Sequence, residues 1–378
     1  MKIEGYCLST QRSSPMSTNI FDYLAWRGDL SFQECRINEV DSLILSCLSY
    51  IRFPGIVPGI SESGSVTIKE ASDAFFSQDR ENRRTRTKED ERLLRMLGES
   101  RRFGPLRLSR YADRLSREQE KQFSAVTILF EDHSAFFAFR GADSTLVGWK
   151  EDFNMAFMPV IPAQKEALEY LIRGAEQTGG PLLCGGHSKG GNLAVFATSA
   201  CPKAMQRRIQ TVYNHDGPGF EKEMLKSEGY LSVSDRIHTF LPQSSVVGML
   251  LDHEDDYTVI HSTQTGLLQH DPYSWEVMGP EFIRVKSVST SSEFIDRTLK
   301  NWLSGLSSSE RKDFFNSLYQ IFSATDAETL QDLPVCWIKN FRKVSKRLLD
   351  VSPENRRMLH RTFFRLLDAG KEALLKEL

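Results

Sequence analysis

The sequence lacks several features that would place it in a class at once. No stretch approaches the roughly 20 apolar residues that a membrane-spanning helix needs, and the polar stretch from Met1 to Pro15 has no apolar core of the kind found in secretory signals. The 48 basic and 50 acidic residues leave a formal net charge of -2, so no overall field favours nucleic acid or an anionic membrane. We therefore expect a cytoplasmic protein with no integral membrane segment and no nucleic-acid partner.

Cysteine is also sparse, and its spacing argues against two further kinds of site. No two cysteines have the CxxC spacing typical of zinc sites and redox motifs. We interpret the cysteines as reduced thiols and not as a disulfide framework, and the sequence implies no metal and no cofactor. The six cysteines are Cys7, Cys35, Cys47, Cys184, Cys201 and Cys336.

Charged and apolar residues are unevenly distributed along the chain. Residues 77–122 are dense in charge, which predicts solvated helices; a phosphate-binding patch is the alternative, and the acidic residues among the arginines weaken it. The apolar runs at 125–130 and 135–139 predict a β-hairpin. Further along, to about residue 261, short apolar runs alternate with segments of helical period. This alternation predicts a mostly parallel sheet covered by helices on both faces.

The strongest signal is the pentapeptide GHSKG at residues 186–190, which matches the pattern GxSxG. In a nucleophile elbow, a serine occupies a sharp turn from a strand into a helix, and its neighbours are glycines because strand and helix approach closely. The apolar run PLLC precedes the match, and the small-residue segment NLAVFATSA follows it. This context predicts an α/β-hydrolase-like fold with Ser188 as nucleophile; a glycine-rich turn with an incidental serine is the alternative.

A serine nucleophile needs a base to remove its proton and a carboxylate to orient that base. In the chain order of this fold the histidine follows the last strand, which favours His270, with a structural loop histidine as the alternative. For the acid we favour Asp216, which directly follows the strand after the elbow helix; a turn-capping role is the alternative. Asp252, with Asp255 and Asp256 near it, is the second candidate.

Acyl transfer also needs N–H donors for the oxyanion of the tetrahedral intermediate. We expect the backbone amides of Lys189, which follows the nucleophile, and of Ala142, which follows an earlier strand, to supply them. The apolar residues after this loop predict an apolar acyl chain in a small-molecule ester or lipid-like substrate; packing in the core is the alternative. These residues are Phe153, Met155, Phe157, Met158, Val160 and Ile161.

Residues 125–280 resemble the class 3 (fungal-type) lipases. Residues 139–141 (FRG), with Trp149 and Asp152, are similar to the oxyanion segment of that family, and 163–198 to its helix, strand, elbow and helix. The resemblance implies a hydroxyl residue where this chain has Ala142. It also implies a catalytic aspartate that aligns here with Ser244 or Ser245, which is a further reason to consider Asp216. His270 also aligns with a non-catalytic histidine of those lipases.

The whole chain resembles more closely a bacterial lipase-like family described as a domain of unknown function. The motifs that carry this resemblance are NIFDYL with WRGD in residues 19–29, GWKEDF at 148–153 and DGPGF at 216–220. The resemblance implies a hydrolase fold and a serine nucleophile, without a substrate.

Together these observations predict a chain of four regions. They are a polar leader at 1–18, with Met16 as an alternative start to Met1, an N-terminal helical region at 19–120, an α/β-hydrolase core at 121–290 and a C-terminal helical region at 291–378. We expect a lipase- or esterase-like serine hydrolase. A catalytically weak hydrolase-fold protein that binds a partner and a serine acyltransferase are the other two hypotheses. The sequence carries no signal for an oligomeric state.

Overall fold

The computed structural model describes residues 18–116, 118, 121–142, 151, 154–155, 158–245, 247–248 and 257–288, with 312–313, 316–317, 353 and 357. Within these residues, eight strands form one sheet and two short strands form a separate hairpin. The strands of the sheet follow one another in chain order. Their bounds are β1 Val66–Thr67, β2 Arg107–Ser116, β3 Lys121–Leu129, β4 Ala135–Phe139, β5 Leu182–His187, β6 Ile209–His215, β7 Ile237–Pro242 and β8 Tyr257–Ile260, followed by β9 Val277–Met278 and β10 Glu281–Phe282 in the hairpin.

The α-helices of the described residues are short. None of them is long and apolar enough to cross a membrane. Their bounds are α1 Ile20–Arg27, α2 Glu39–Leu48, α3 Ile68–Ser77, α4 Lys88–Glu99, α5 Pro162–Glu176, α6 Lys189–Ala200, α7 Lys203–Gln206, α8 Lys222–Leu225 and α9 Glu228–Leu231.

Strands β4 to β8 run parallel. The chain passes through α5 between β4 and β5, through α6 and α7 between β5 and β6, and through α8 and α9 between β6 and β7. Strands β1 to β4 are antiparallel, and β3 and β4 form the predicted hairpin, with Ala125 opposite Phe139. The prediction of a mostly parallel sheet in an α/β architecture is therefore confirmed.

Two hydrophobic layers cover the two faces of this sheet. Successive side chains of a strand point to opposite faces, and β4 shows this in a fully apolar run: Phe136 packs into one layer, whereas Phe137 and Phe139 pack into the other. The first layer includes the buried residues of α1 to α4, and α2 lies against β4, β5 and β6. The second layer includes α5 and α6. The N-terminal helices thus cover one face of the sheet at β4 to β6, and Tyr273, Trp275, Val277 and Phe282 belong to the same layer.

Two of these N-terminal helices begin at the asparagines that their sequences suggest. The Asn19 side chain accepts from the Phe21 N–H, and that of Asn38 accepts from the Val40 and Asp41 N–H groups. In each case an aspartate in the first turn accepts the N–H of the asparagine, which completes a capping box.

The secondary structure of region 19–120 differs from the helical prediction, because β1 and β2 lie within it. Strand β2 carries charged residues such as Arg107 and Arg114, which suggested a solvated helix. Its alternation is also interrupted between Ser109 and Ala112, where the register shifts and Arg110 has a φ of 56°. A strand that combines charge with a bulge lacks a clear period of two. The proposed division into four regions stays a prediction, and residues 1–17 and nearly all of 289–378 lie outside the described residues.

The sheet brings the ends of three parallel strands to one edge. His187, the last residue of β5, pairs with His215, the last residue of β6, and His215 pairs with Phe240 of β7. The residues that follow these strands therefore meet at the carboxyl edge, where α/β proteins build their sites.

Candidate active site

Ser188 joins β5 to α6 at a sharp turn. Its backbone has φ 60° and ψ -136°, a combination that a residue other than glycine rarely adopts and that costs of order 1–3 kcal/mol. The Ser188 N–H donates a hydrogen bond of 2.8 Å to the His215 carbonyl at the end of β6. The residue thus occupies a strained strand-to-helix turn at the carboxyl edge of the sheet.

Gly186 and Gly190 leave no room for a side chain, which explains the spacing of the motif. A Cβ atom added to Gly186 would lie 2.2 Å from the Gly190 carbonyl carbon, and one added to Gly190 would lie 2.1 Å from the Phe139 carbonyl oxygen. Both contacts are with backbone atoms, which cannot move aside cheaply. The two glycines therefore allow β4, β5 and α6 to approach one another around Ser188.

Asp216 directly follows β6 and is fully buried. Its φ of 54° is also left-handed, and its N–H donates to the Phe240 carbonyl at 2.9 Å. Its Oδ1 accepts a hydrogen bond from the hydroxyl of Ser245, which in turn accepts one of 3.0 Å from the Gly248 N–H. The carboxylate is therefore held by the segment that follows the neighbouring strand, β7.

His270 ends a short 3-10 turn, Gly266–His270, in the segment after β8. Its Nδ1 lies 2.6 Å from Asp216 Oδ2, and its side chain is 27% exposed. Because an ionised carboxylate only accepts hydrogen bonds, this contact puts the proton of a neutral imidazole on Nδ1. Nε2 is then the nitrogen that can accept a proton.

His270 also lies beside the elbow. Its ring centroid is 4.6 Å from that of His187, and its carbonyl oxygen is 2.8 Å from His187 Nε2. Ser188 and His270 both lie in the part of the chain that the structure describes, and there no hydrogen bond joins the Ser188 hydroxyl to the His270 ring. Catalytic hydrogen bonds are often long without substrate and tighten only in the complex. The structure therefore brings Ser188, His270 and Asp216 to one edge and joins the last two directly.

Two other histidines next to the site are kept neutral by burial. Burial lowers the pKa of His187 well below its usual value, and the charge of His270 adds to this effect. Burial also lowers the pKa of His215 to about 3. A general base works best with a pKa near the working pH, so neither residue suits that role.

The two predicted oxyanion donors are Lys189, which follows Ser188 in the chain, and Ala142, whose neighbour Gly141 lies against Ser188. Lys189 is the first residue of α6, and the first N–H groups of a helix point out of its N-terminal end. The Lys189 side chain is fully buried, and its Nζ donates to Glu151 Oε2 at 2.8 Å. Ala142 follows Gly141, and a Cβ atom added to Gly141 would lie 3.0 Å from Ser188 Cβ. The loop that carries Ala142 therefore touches the elbow.

Three residues beside the site were not predicted as part of it. Ser245 was considered only as the position that aligns with another family's acid. Glu151 lies in the GWKEDF motif, which contributed to the family resemblance but did not indicate that Glu151 would pair with Lys189. Tyr50, whose hydroxyl contacts His187, is 137 positions away from it in the chain, and no sequence signal pointed to it.

Some predictions concern residues that the structure does not describe. Asp252, Asp255 and Asp256 lie outside the described residues, as do Trp149, Asp152, Phe153 and Phe157. Of the apolar residues proposed to contact an acyl chain, Met155 and Ile161 are buried in the second hydrophobic layer. Among the described residues, no cluster of histidine, cysteine, aspartate and glutamate could hold a metal ion.

Comparisons with known proteins found similar solved structures and a matching family model. A solved structure described as M37 lipase is 14% identical to this chain, with a TM-score of 0.35, and the alignment covers 55% of this chain and 68% of that one. No curated protein matches the chain. The family model named Mbeg1-like matches residues 97–320, which is more than half of the 378 residues. The chain therefore belongs to the Mbeg1-like family, a lipase-like family.

Proposed function

We propose that this protein is a serine hydrolase that cleaves a carboxylic ester, with Ser188, His270 and Asp216 as its catalytic residues. The observation that carries the proposal is the 2.6 Å contact between His270 Nδ1 and Asp216 Oδ2, at the edge where the strained turn presents Ser188. Nucleophilic catalysis by serine needs a base beside the hydroxyl and a carboxylate that orients the base. Membership of a lipase-like family supports the same chemistry.

The reaction proceeds in two steps. The Ser188 hydroxyl attacks the ester carbonyl and transfers its proton to His270 Nε2, while Asp216 stabilises the imidazolium that forms. The backbone N–H groups of Lys189 and Ala142 donate to the oxyanion. The C–O bond of the leaving group then breaks, and the departing alkoxide takes the proton from His270. In the second step water attacks the acyl-serine by the same route and releases the acid.

The substrate we propose is a small-molecule ester or a lipid-like ester. Of the residues that suggested an apolar acyl chain, Met155 and Ile161 pack in the core, so their side chains support the fold and not a binding pocket. The proposal therefore rests on the reacting groups, and acyl length is a quantity to measure. A series of p-nitrophenyl esters from acetate to dodecanoate measures it directly.

The decisive experiment uses a fluorophosphonate probe, which forms a covalent bond with an activated serine. We expect the wild-type protein to react and the label to map to Ser188 by peptide mass spectrometry. Ser188→Ala abolishes labelling, whereas Ser77→Ala, which removes an exposed hydroxyl at the end of α3, leaves it unchanged. A folded wild-type protein that does not react contradicts the proposal and supports a catalytically weak, partner-binding protein.

Product analysis distinguishes a hydrolase from an acyltransferase. The same acyl-serine can react with water or with an alcohol, so the products formed in the presence of an alcohol acceptor report which one the site prefers. We expect free acid to predominate. Predominant formation of the new ester would assign the protein to the acyltransferases that use a serine nucleophile.

A further inference from the structure

A hydrogen-bonded chain of side chains runs through the protein interior to the main chain of His270. His187 lies between Tyr50 and His270, with ring centroids 5.9 Å and 4.6 Å away respectively. Tyr50 and His187 are 3% and 1% exposed, so solvent does not compete for their hydrogen bonds. The Tyr50 hydroxyl lies 2.9 Å from His187 Nδ1, and His187 Nε2 lies 2.8 Å from the His270 carbonyl oxygen.

The His270 carbonyl oxygen decides which atom is the donor in each of these two hydrogen bonds. A backbone carbonyl only accepts hydrogen bonds, so His187 Nε2 must carry a proton and donate it to His270. Burial lowers the pKa of His187 and keeps its ring neutral, so Nδ1 has no proton and accepts. The Tyr50 hydroxyl is therefore the donor to Nδ1. The Tyr50 hydroxyl selects the tautomer in which His187 can hold His270.

Tyr50 also contacts the loop on the other side of Ser188. A Cβ atom added to Gly141 would lie 2.4 Å from the Tyr50 hydroxyl, 2.6 Å from the His187 carbonyl oxygen and 3.0 Å from Ser188 Cβ. The Tyr50 hydroxyl, the elbow and the Gly141 loop thus meet at one point. The Arg86 guanidinium lies 4.0 Å from the centre of the Tyr50 ring and covers it.

We propose that Tyr50 and His187 are positioning residues that hold the main chain of His270 and the Gly141 loop in register on the two sides of Ser188. This inference rests on the proposed function, and it assigns to the segment after α2 a role in the active site. Neither residue exchanges a proton with substrate. A displacement of about 1 Å in a reacting group can lower the rate of the chemical step about 100-fold. Loss of the hydrogen bonds through Tyr50 and His187 therefore lowers kcat more than it changes KM.

The test compares two substitutions of buried tyrosines. Tyr50→Phe removes the donor of the chain, and we expect kcat to fall by about 10- to 100-fold while KM changes by less than about threefold. Tyr170→Phe is the matched control, because Tyr170 is 2% exposed and its hydroxyl bonds Thr127 and the Arg110 carbonyl in the other layer. We expect Tyr170→Phe to lower the melting temperature and to keep kcat.

Two substitutions of His187 test whether an N–H donor at this position is enough to preserve kcat. His187→Gln keeps an N–H donor at the end of the side chain, whereas His187→Phe keeps a ring and removes the donor. We expect His187→Gln to retain more kcat than His187→Phe at similar melting temperatures. Equal kcat in the two variants, or an unchanged kcat in Tyr50→Phe, overturns the proposal.

A measurement that needs no activity separates this inference from the proposed function. Nitrogen-15 NMR of the imidazoles reports which ring nitrogen is protonated, and we expect His187 to carry its proton on Nε2 in the wild-type protein. A proton on Nδ1 overturns the hydrogen-bonded chain whether or not the protein hydrolyses esters. Conversely, Ser188 could prove unreactive while His187 carries its proton on Nε2. That result would overturn the proposed function and the positioning role of Tyr50 and His187, but it would leave the two hydrogen bonds of His187 in place.

Discussion

The Ser245 hydroxyl donates a hydrogen bond to Asp216 Oδ1, and the two residues follow neighbouring parallel strands. The other carboxylate oxygen, Oδ2, faces His270 Nδ1 at 2.6 Å. Each oxygen of this fully buried carboxylate thus has a partner, and the orientation of the carboxylate toward His270 depends on both.

Ser245→Ala tests this dependence. Removing the hydroxyl deprives Oδ1 of a hydrogen bond to a charged group, worth about 1.5–3 kcal/mol, and allows the carboxylate to rotate away from His270. We expect kcat to fall by about tenfold with little change in KM. Ser124→Ala is the matched control, because Ser124 is equally buried and donates only to the Ala112 carbonyl. Equal kcat in the two variants would contradict a role for Ser245 in orienting the acid.

Asp216→Asn distinguishes an orienting acid from a residue that only stabilises its turn. An acid that holds the histidine in its tautomer contributes up to roughly 10,000-fold in turnover, whereas a turn aspartate acts on stability alone. We expect a large loss of turnover in a folded variant, measured with whichever ester the wild type accepts, alongside the melting temperature. Normal turnover with a lowered melting temperature would remove Asp216 from the catalytic residues and direct attention to Asp252.

The two buried histidines predict a loss of stability in acid. His215 has a pKa lowered to about 3 by burial, so below its ordinary pKa of about 6.5 it binds a proton only in the unfolded chain. The unfolded state then binds more protons, and the free energy of unfolding falls by about 1.4 kcal/mol per pH unit for each such histidine as pH falls from about 6.5 toward the folded pKa.

His215→Phe tests the sign and size of this effect. Urea unfolding at about pH 7 and about pH 5 should show a loss of stability smaller by about 2 kcal/mol than in the wild type. The control is His238→Gln, since His238 is exposed at the start of β7, and it should keep the wild-type slope. An unchanged slope in His215→Phe would show that His215 is protonated in the folded protein.

A buried ion pair fixes the N-terminal helices. The Arg102 and Asp41 side chains are fully buried and bonded to each other, and Arg102 also donates to four backbone carbonyls between residues 30 and 36. Arg102→Met leaves Asp41 as an uncompensated buried charge, so we expect a loss of about 3–5 kcal/mol in the free energy of unfolding. Arg101→Met is the control, because that side chain is 63% exposed and its loss should change stability by less than about 0.5 kcal/mol.

The local features of the site were predictable from sequence, because they depend on neighbours in the chain. A turn of small residues between an apolar strand and a helix can adopt few backbone conformations. The GHSKG segment therefore indicated the geometry at Ser188. The caps at Asn19 and Asn38 are local in the same sense. Strand β2 was missed because its charges and its bulge conceal the period of two.

The partners of the catalytic groups were not predictable in the same way. Tyr50 meets His187 only because α2 packs across the centre of the sheet, and the Lys189–Glu151 ion pair depends on tertiary contacts that no local pattern encodes. The register of β6 and β7 decides that Ser245 can reach Asp216. Such contacts arise from the way layers stack, which a single sequence does not display.

The hydrophobic layer beneath α1 to α4 has a consequence for how this chain can be shortened. The family match begins at residue 97, yet Phe136 and Leu183 of the sheet are buried against helices that precede that residue. A polypeptide cut at this boundary would expose one apolar face of its central sheet to water and would lose Tyr50 beside the elbow. We expect such a polypeptide to aggregate. The segment that the family model matches is thus smaller than the unit that we expect to fold.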